Sequence, residues 1–165
     1  MPSSKRNLLA SSGNADATYV EDVFYTYLYE GNGSTQTITN GIDLDGEGGL
    51  VWIKNRDAAD GHVLTDTIRG VGEVLASDST AAEATNADTT TAFNAAGFGI
   101  GADVIVNTNA ESYASWTFRK AEGFFDIVTW SGDAVQGREI AHGLAASVGT
   151  LIIKKTSAAQ SWYVW

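Results

Sequence analysis

The stretch that decides the fold is Tyr113-Ala114-Ser115-Trp116-Thr117-Phe118-Arg119. Alternation sorts Ala114, Trp116 and Phe118 to one side and Tyr113, Ser115, Thr117 and Arg119 to the other, the two-residue period of a half-buried antiparallel strand. Segments of similar make-up, rich in β-branched and aromatic residues, lie at 23–29, 50–54, 124–130, 151–155 and 162–165. They read as strands. Glycine clusters separate them, as in Gly31-Asn32-Gly33, Gly46-Glu47-Gly48-Gly49 and Gly97-Phe98-Gly99-Ile100-Gly101. Glycine tolerates the backbone angles of tight turns, so these clusters punctuate the chain. Residues 77–96 carry few large apolar side chains at helical spacing and include Thr89-Thr90-Thr91, so they predict a polar loop with at most one helical turn. Short strands with glycine turns make an all-β chain, an antiparallel β-sandwich or jelly-roll-like module preceded by an extended N-terminal segment.

Composition narrows what such a module does. The chain has 165 residues, 10 Lys and Arg against 20 Asp and Glu, and a net charge of −10. That charge repels phosphate backbones and anionic headgroups over roughly 10 Å, so no nucleic acid partner is expected. With 44% hydrophobic residues and only 18% charged, there is apolar surface enough for a core without disulfides. There is no cysteine, which removes thiolate metal sites and thiol chemistry. Lys5 and Arg6 imitate the start of a secretory signal, but the apolar run Leu8-Leu9-Ala10 ends at Ser11, short of the ~7–15 residues such a signal needs. No stretch approaches the ~18 continuous apolar residues of a membrane-spanning helix, so no membrane insertion is expected.

The chain echoes itself. Tyr29-Glu30-Gly31, Ile38-Thr39-Asn40-Gly41-Ile42 and Gly48-Gly49-Leu50-Val51-Trp52-Ile53 recur as Trp130-Ser131-Gly132, Ile140-Ala141-His142-Gly143-Leu144 and Gly149-Thr150-Leu151-Ile152-Ile153-Lys154, at an offset of 101 or 102. This predicts a tandem repeat of about 100 residues, the size of one sandwich domain. The expected divisions are an attachment segment at 1–22, a sandwich at 23–129, and the start of a second, incomplete unit at 130–165. A hairpin over 151–165 would carry Trp162 and Trp165 at a free end, so the natural polypeptide is expected to continue.

No residue pattern here carries chemistry. Asp43, Asp45 and Glu47 offer oxygens at alternate positions as a weak surface cation site, but Lys54 stands where a calcium loop needs a bidentate Glu. His142 occupies the repeat position of Asn40, which suits a local turn bond and not a general base. There is no Gly-x-Ser-x-Gly elbow, and the many carboxylates single out no pair, so no catalytic residue, resident metal or cofactor is expected. Trp52, Trp116 and Trp130 fall inside strands and read as core. Tyr25, Tyr27 and Tyr29 share one face of their strand, which suits either an interface or sheet packing.

Lys5-Arg6-Asn7-Leu8-Leu9-Ala10, Tyr19-Val20-Glu21-Asp22-Val23-Phe24, Gly49-Leu50-Val51-Trp52-Ile53-Lys54 and Trp116-Thr117-Phe118-Arg119-Lys120 resemble the amino-terminal part of tail-fibre-like structural proteins of marine bacteriophages. The resemblance implies a non-enzymatic virion component, a tail fibre anchored by its first residues. Lys5, Arg6, Leu8, Leu9, Tyr19, Val20 and Phe24 are the candidate attachment residues. The implied partners are other virion proteins of the tail or an adaptor, further copies of the chain with a trimer favoured, and a host surface glycan. A free carbohydrate-binding module and a head-decoration protein are the alternatives.

Overall fold

The computed structural model describes residues 18–165. Tyr19 opens a single helical turn, α1 (Val20–Val23), closed by reciprocal bonds. The Asp22 amide donates to the Tyr19 carbonyl at 3.0 Å, and the Tyr19 amide donates to Asp22 Oδ2 at 3.1 Å. Residues 20–22 of the segment expected as extended are therefore wound, and Val23 is buried where the next strand begins.

That strand, β1 (Phe24–Glu30), lies at the edge of a four-stranded antiparallel sheet with β9 (Ser112–Arg119), β3 (Gly49–Asn55) and β4 (Val63–Asp66), in the order β1-β9-β3-β4. A second antiparallel sheet is ordered β2 (Gln36–Thr39), β8 (Gly97–Ile100), β7 (Thr90–Asn94). Two-residue strands form small ladders: β5 (Glu73–Val74) with β6 (Ala84–Thr85), and β10 (Ile152–Ile153) with β11 (Tyr163–Val164). A short helix, α2 (Val104–Asn107), is capped by the Asp103 carboxylate, which accepts from the Ile105 amide. The all-β sandwich expectation holds. Residues 77–96, expected as a polar loop, contribute β6 and β7.

Between the two larger sheets lies the core. Tyr29, Val51, Ile53, Val63 and Tyr113 from one meet Ile38, Phe98 and Ile100 from the other, with Ile42, Leu44 and Val106 closing the ends. Gly97, at φ 142°, lets β8 run so close to β2 that a Cβ there would collide with the Ile38 carbonyl. Polar side chains also cross the interior. Thr65 and Thr90 hydroxyls bond at 2.8 Å between β4 and β7, and Asn40 Nδ2 donates to Thr117 Oγ1 at 2.8 Å. Tyr29 and Tyr113 stack with centroids 5.1 Å apart, donating to the carbonyls of Val106 and Val104. Each of these four hydroxyls and the Thr117 oxygen is thus satisfied, as a low-dielectric interior demands. Burial, with Tyr113 beside it, pushes the Tyr29 hydroxyl far above its ordinary pKa, so it stays a neutral donor.

The strand that decides the fold packs with the opposite face inward from its hydrophobicity. Tyr113, Ser115 and Thr117 are fully buried, whereas Trp116 and Phe118 remain half-buried on the outer side. Hydroxyl partners across the sandwich make the polar row the better interior fit, so Trp52 and Trp116 are not core residues. Trp130 is 43% exposed. Residues 124–130, expected as a strand, instead complete a turn closed by an Ala121–Phe125 bridge and then run on without regular structure. There Phe124 and Phe125 pack on Phe118 at 6.5 and 5.3 Å.

Candidate interaction face

Outside the sandwich, the four-stranded sheet presents an aromatic surface. Register aligns Thr26, Trp116, Trp52 and Leu64 in one row across it, and Phe24, Phe118 and Leu50 in the next. Phe24 lies 4.8 Å from Phe118, and Trp52 meets Trp116 edge-on at 5.9 Å. The Trp52 indole donates to His62 Nδ1 at 2.8 Å, and the His62 amide is held by the Asp78 carboxylate. Leu28, 59% exposed, stands at the β1 margin. Such a row, rich in Trp and Phe and free of carboxylates between Phe24 and Leu28, has the make-up of a protein contact surface.

At the lower end of this face an open cleft of about 470 Å³ lies between the 120–128 turn and the chain at 141–143. Asp126 clasps its two sides. It accepts from Lys120 at 3.0 Å, from the Ile127 amide at 2.9 Å, and from the Gly143 amide at 2.6 Å. Burial alone would raise the Asp126 pKa. The Gly143 amide, Lys120 and the Ile127 amide outweigh that and hold it below the usual carboxylate range. An ionised carboxylate committed to these partners is a structural clasp.

Of the candidate attachment residues, Lys5, Arg6, Leu8 and Leu9 lie outside the described residues. Tyr19, Val20 and Phe24 are brought together where α1 enters β1, and Phe24 belongs to the aromatic face. The acidic turn does not converge. Asp43 Oδ1 accepts from the Gly46 amide at 2.8 Å, Glu47 reaches Arg119 at 3.6 Å, and Asp45 faces solvent. Among the described residues no group of three or more His, Asp or Glu could hold a metal ion. His142 sits in a local turn, where its Nδ1 accepts from the Leu144 amide at 3.3 Å, as Asn40 Oδ1 accepts from the Ile42 amide at 3.1 Å. The tyrosine row grades from Tyr25, 42% exposed, to Tyr29 inside the core, so sheet packing claims one end of it.

Sequence reasoning missed the Trp52–His62 bond and the Asp126 clasp, because each joins segments distant in the chain or loop residues without periodicity. The aromatic face had a signal. Counting Phe24, Trp52, Trp116 and Phe118 as same-facing positions on three strands would have located it.

Fold and face together define an all-β module with an outward aromatic surface and no helix, among the described residues, long and apolar enough to cross a membrane. Residues 20–165 match a family described as a domain of unknown function, DUF7483, and the chain belongs to that family. No curated protein and no solved structure matches it.

Proposed function

We propose that this chain is a structural protein of a bacteriophage virion, a tail-fibre module anchored through its amino-terminal part, with later modules contacting the host. The observation that carries this beyond the resemblance is the aromatic face around Trp52, Trp116 and Phe118, at whose margin Phe24 joins the amino-terminal arm to the body. A cysteine-free sandwich whose interior is crossed by hydroxyl and amide bonds suits a rigid particle component, and the face offers the self-association that a fibre needs. On this reading the chain has no catalytic role, takes no cofactor and works in the virion.

The test is denaturing mass spectrometry and copy-number measurement on purified native particles. Presence at low copy number relative to the major shell protein supports the fibre. High copy number at a mass of 17.4 kDa would instead make it a head-decoration protein. Absence from particles overturns both. Glycan binding has one observation in its favour, the Trp165 ring, 67% exposed and stacked with Tyr163 at 5.7 Å, which offers a sugar platform. Oligosaccharide quenching of tryptophan fluorescence that is lost in Trp165→Ala would support it.

A further inference from the structure

Two strand edges are left open, and they fit each other. The Gly31 amide and carbonyl bond across to Glu111 and Ala110, so alternation turns the backbone groups of Thr26 and Leu28 away from β9. Leu151 and Trp165 exchange both backbone bonds, so alternation turns those of Ile152 away from β11. No other strand among the described residues pairs with either edge. Natural edges are usually blunted by charge, proline or a bulge. Between Phe24 and Tyr29, β1 has none of these, and its register with β9 is unbroken.

We infer that β10 of one copy adds as an antiparallel strand to the β1 edge of a second copy, joining chains head to tail. Charge selects this pairing over β1 with itself. The β1 strand is flanked by Glu21 and Asp22 at its start and by Glu30 at its end, so two such edges laid antiparallel bring acid to acid. The β10 strand runs instead into Lys154 and the exposed Lys155. Setting Ile152 opposite Thr26 brings outward-facing backbone groups together and carries Lys155 to the acidic turn of α1. The same register adds Ile152 and Val164, 57% and 64% exposed, to the apolar outer face beside Leu28. The sequence echo points the same way: the counterpart of β10 is β3, which has a strand on each side. A contact between unlike surfaces closes into a ring, such as a trimer, or grows as a filament, according to its rotation. This inference supplies the contact for the homo-oligomer proposed above and depends on that reading only for its setting.

The test uses purified protein in solution, so it can fail while the chain is still found in particles, and the reverse. Because the chain lacks cysteine, engineered thiols are its only ones. Thr26→Cys and Ile152→Cys are both at exposed positions. Mixed under mild oxidation, they should give a disulfide-linked dimer at least about tenfold more abundant than either variant alone, since thiols cross-link only where their Cα atoms come within ~7 Å. Lys155→Glu in the Ile152→Cys chain should reduce that yield, and Glu21→Lys in its partner should restore it. No mixed cross-link, or Thr26→Cys dimers in excess, overturns the inference.

Discussion

The hairpins β3–β4 and β10–β11 open on similar apolar stretches, Leu50-Val51-Trp52-Ile53 and Leu151-Ile152-Ile153, yet one is the middle of the molecule and the other lies on its surface. Val51, Ile53 and Val63 are fully buried, whereas Ile152 and Val164 are more than half exposed, and no residue after Thr117 is buried. Local sequence is not the cause. The β3 strand has β9 on one side, β4 on the other and β8 across the core, while β10 has only β11. What holds β10–β11 down is a set of hydrogen bonds to the 76–83 loop. The Trp162 indole donates to the carbonyls of Ala76 and Ser79, Lys154 reaches the Thr80 carbonyl, and the Glu83 amide donates to the Thr156 carbonyl. A strand-forming sequence thus makes a hairpin, but depth comes from the sheets packed around it.

The sharpest break of this comparison is truncation on each side. Phe98→Ala empties a fully buried site between the sheets and should cost about 3–5 kcal/mol of global stability, whereas Ile152→Ala should change it by under about 0.5 kcal/mol. Urea denaturation of both variants checks the pair. Equal losses would mean that β10 is buried in solution, as the strand-addition contact would require at high concentration, so the titration is run dilute. Arg69→Met tests the support beneath the hairpin. The Arg69 guanidinium pairs with Asp66 at 2.5 Å and Glu83 at 2.8 Å, with side-chain exposures of 8% and 5% for Arg69 and Asp66. Removing one partner of a buried pair strands the other, so a loss of about 3 kcal/mol is expected, with the 76–83 loop and the β10–β11 amides losing hydrogen-exchange protection together.

How much of this was legible varies with the kind of signal. Strands β1, β3 and β9 stood out because β-branched and aromatic residues alternate there, and the glycine clusters marked their ends. The inward face of β9 did not stand out. Hydrophobicity assigns Trp116 inward, but the hydroxyls of Ser115 and Thr117 lie on the side of Tyr113, whose ring fills the core, and strand period ties all three together. Residues 124–130 misled for a related reason: Phe124 and Phe125 are apolar because they cover Phe118, not because they extend a sheet. Asp126 looked like one solvated carboxylate among many, since its role depends on Gly143, far along the chain.

Smaller effects sharpen the contrast at the tethers. Trp162→Phe keeps a ring but removes the indole N–H that two carbonyls share, each such bond being worth about 0.5–1.5 kcal/mol net. Because β10–β11 adds no buried core, the expected outcome is local. Exchange of the hairpin amides should quicken several-fold while the global midpoint stays within about 0.5 kcal/mol of the parent. A fall in the midpoint comparable to that of Phe98→Ala would show the two hairpins to be one cooperative unit.

The smallest expected effect is the pH response of the Asp126 clasp, and its sign follows from the direction of the shift. The folded pKa of Asp126 lies below its unfolded value, so the unfolded state binds the proton more readily. The clasp therefore contributes its full stabilisation above the unfolded carboxylate pKa of about 3.9, and loses it as pH falls through the lower folded value. Between pH 7 and 5 the 120–128 turn and the 141–143 segment should stay joined. On further acidification the Gly143 amide, which donates to Asp126 Oδ2, should shift upfield in NMR spectra as its acceptor weakens. Asp126→Asn should show a weakened Gly143 bond already at pH 7 and no transition on acidification. A transition that persists in Asp126→Asn would instead move control of this junction from the Asp126 carboxylate to another group lining the cleft.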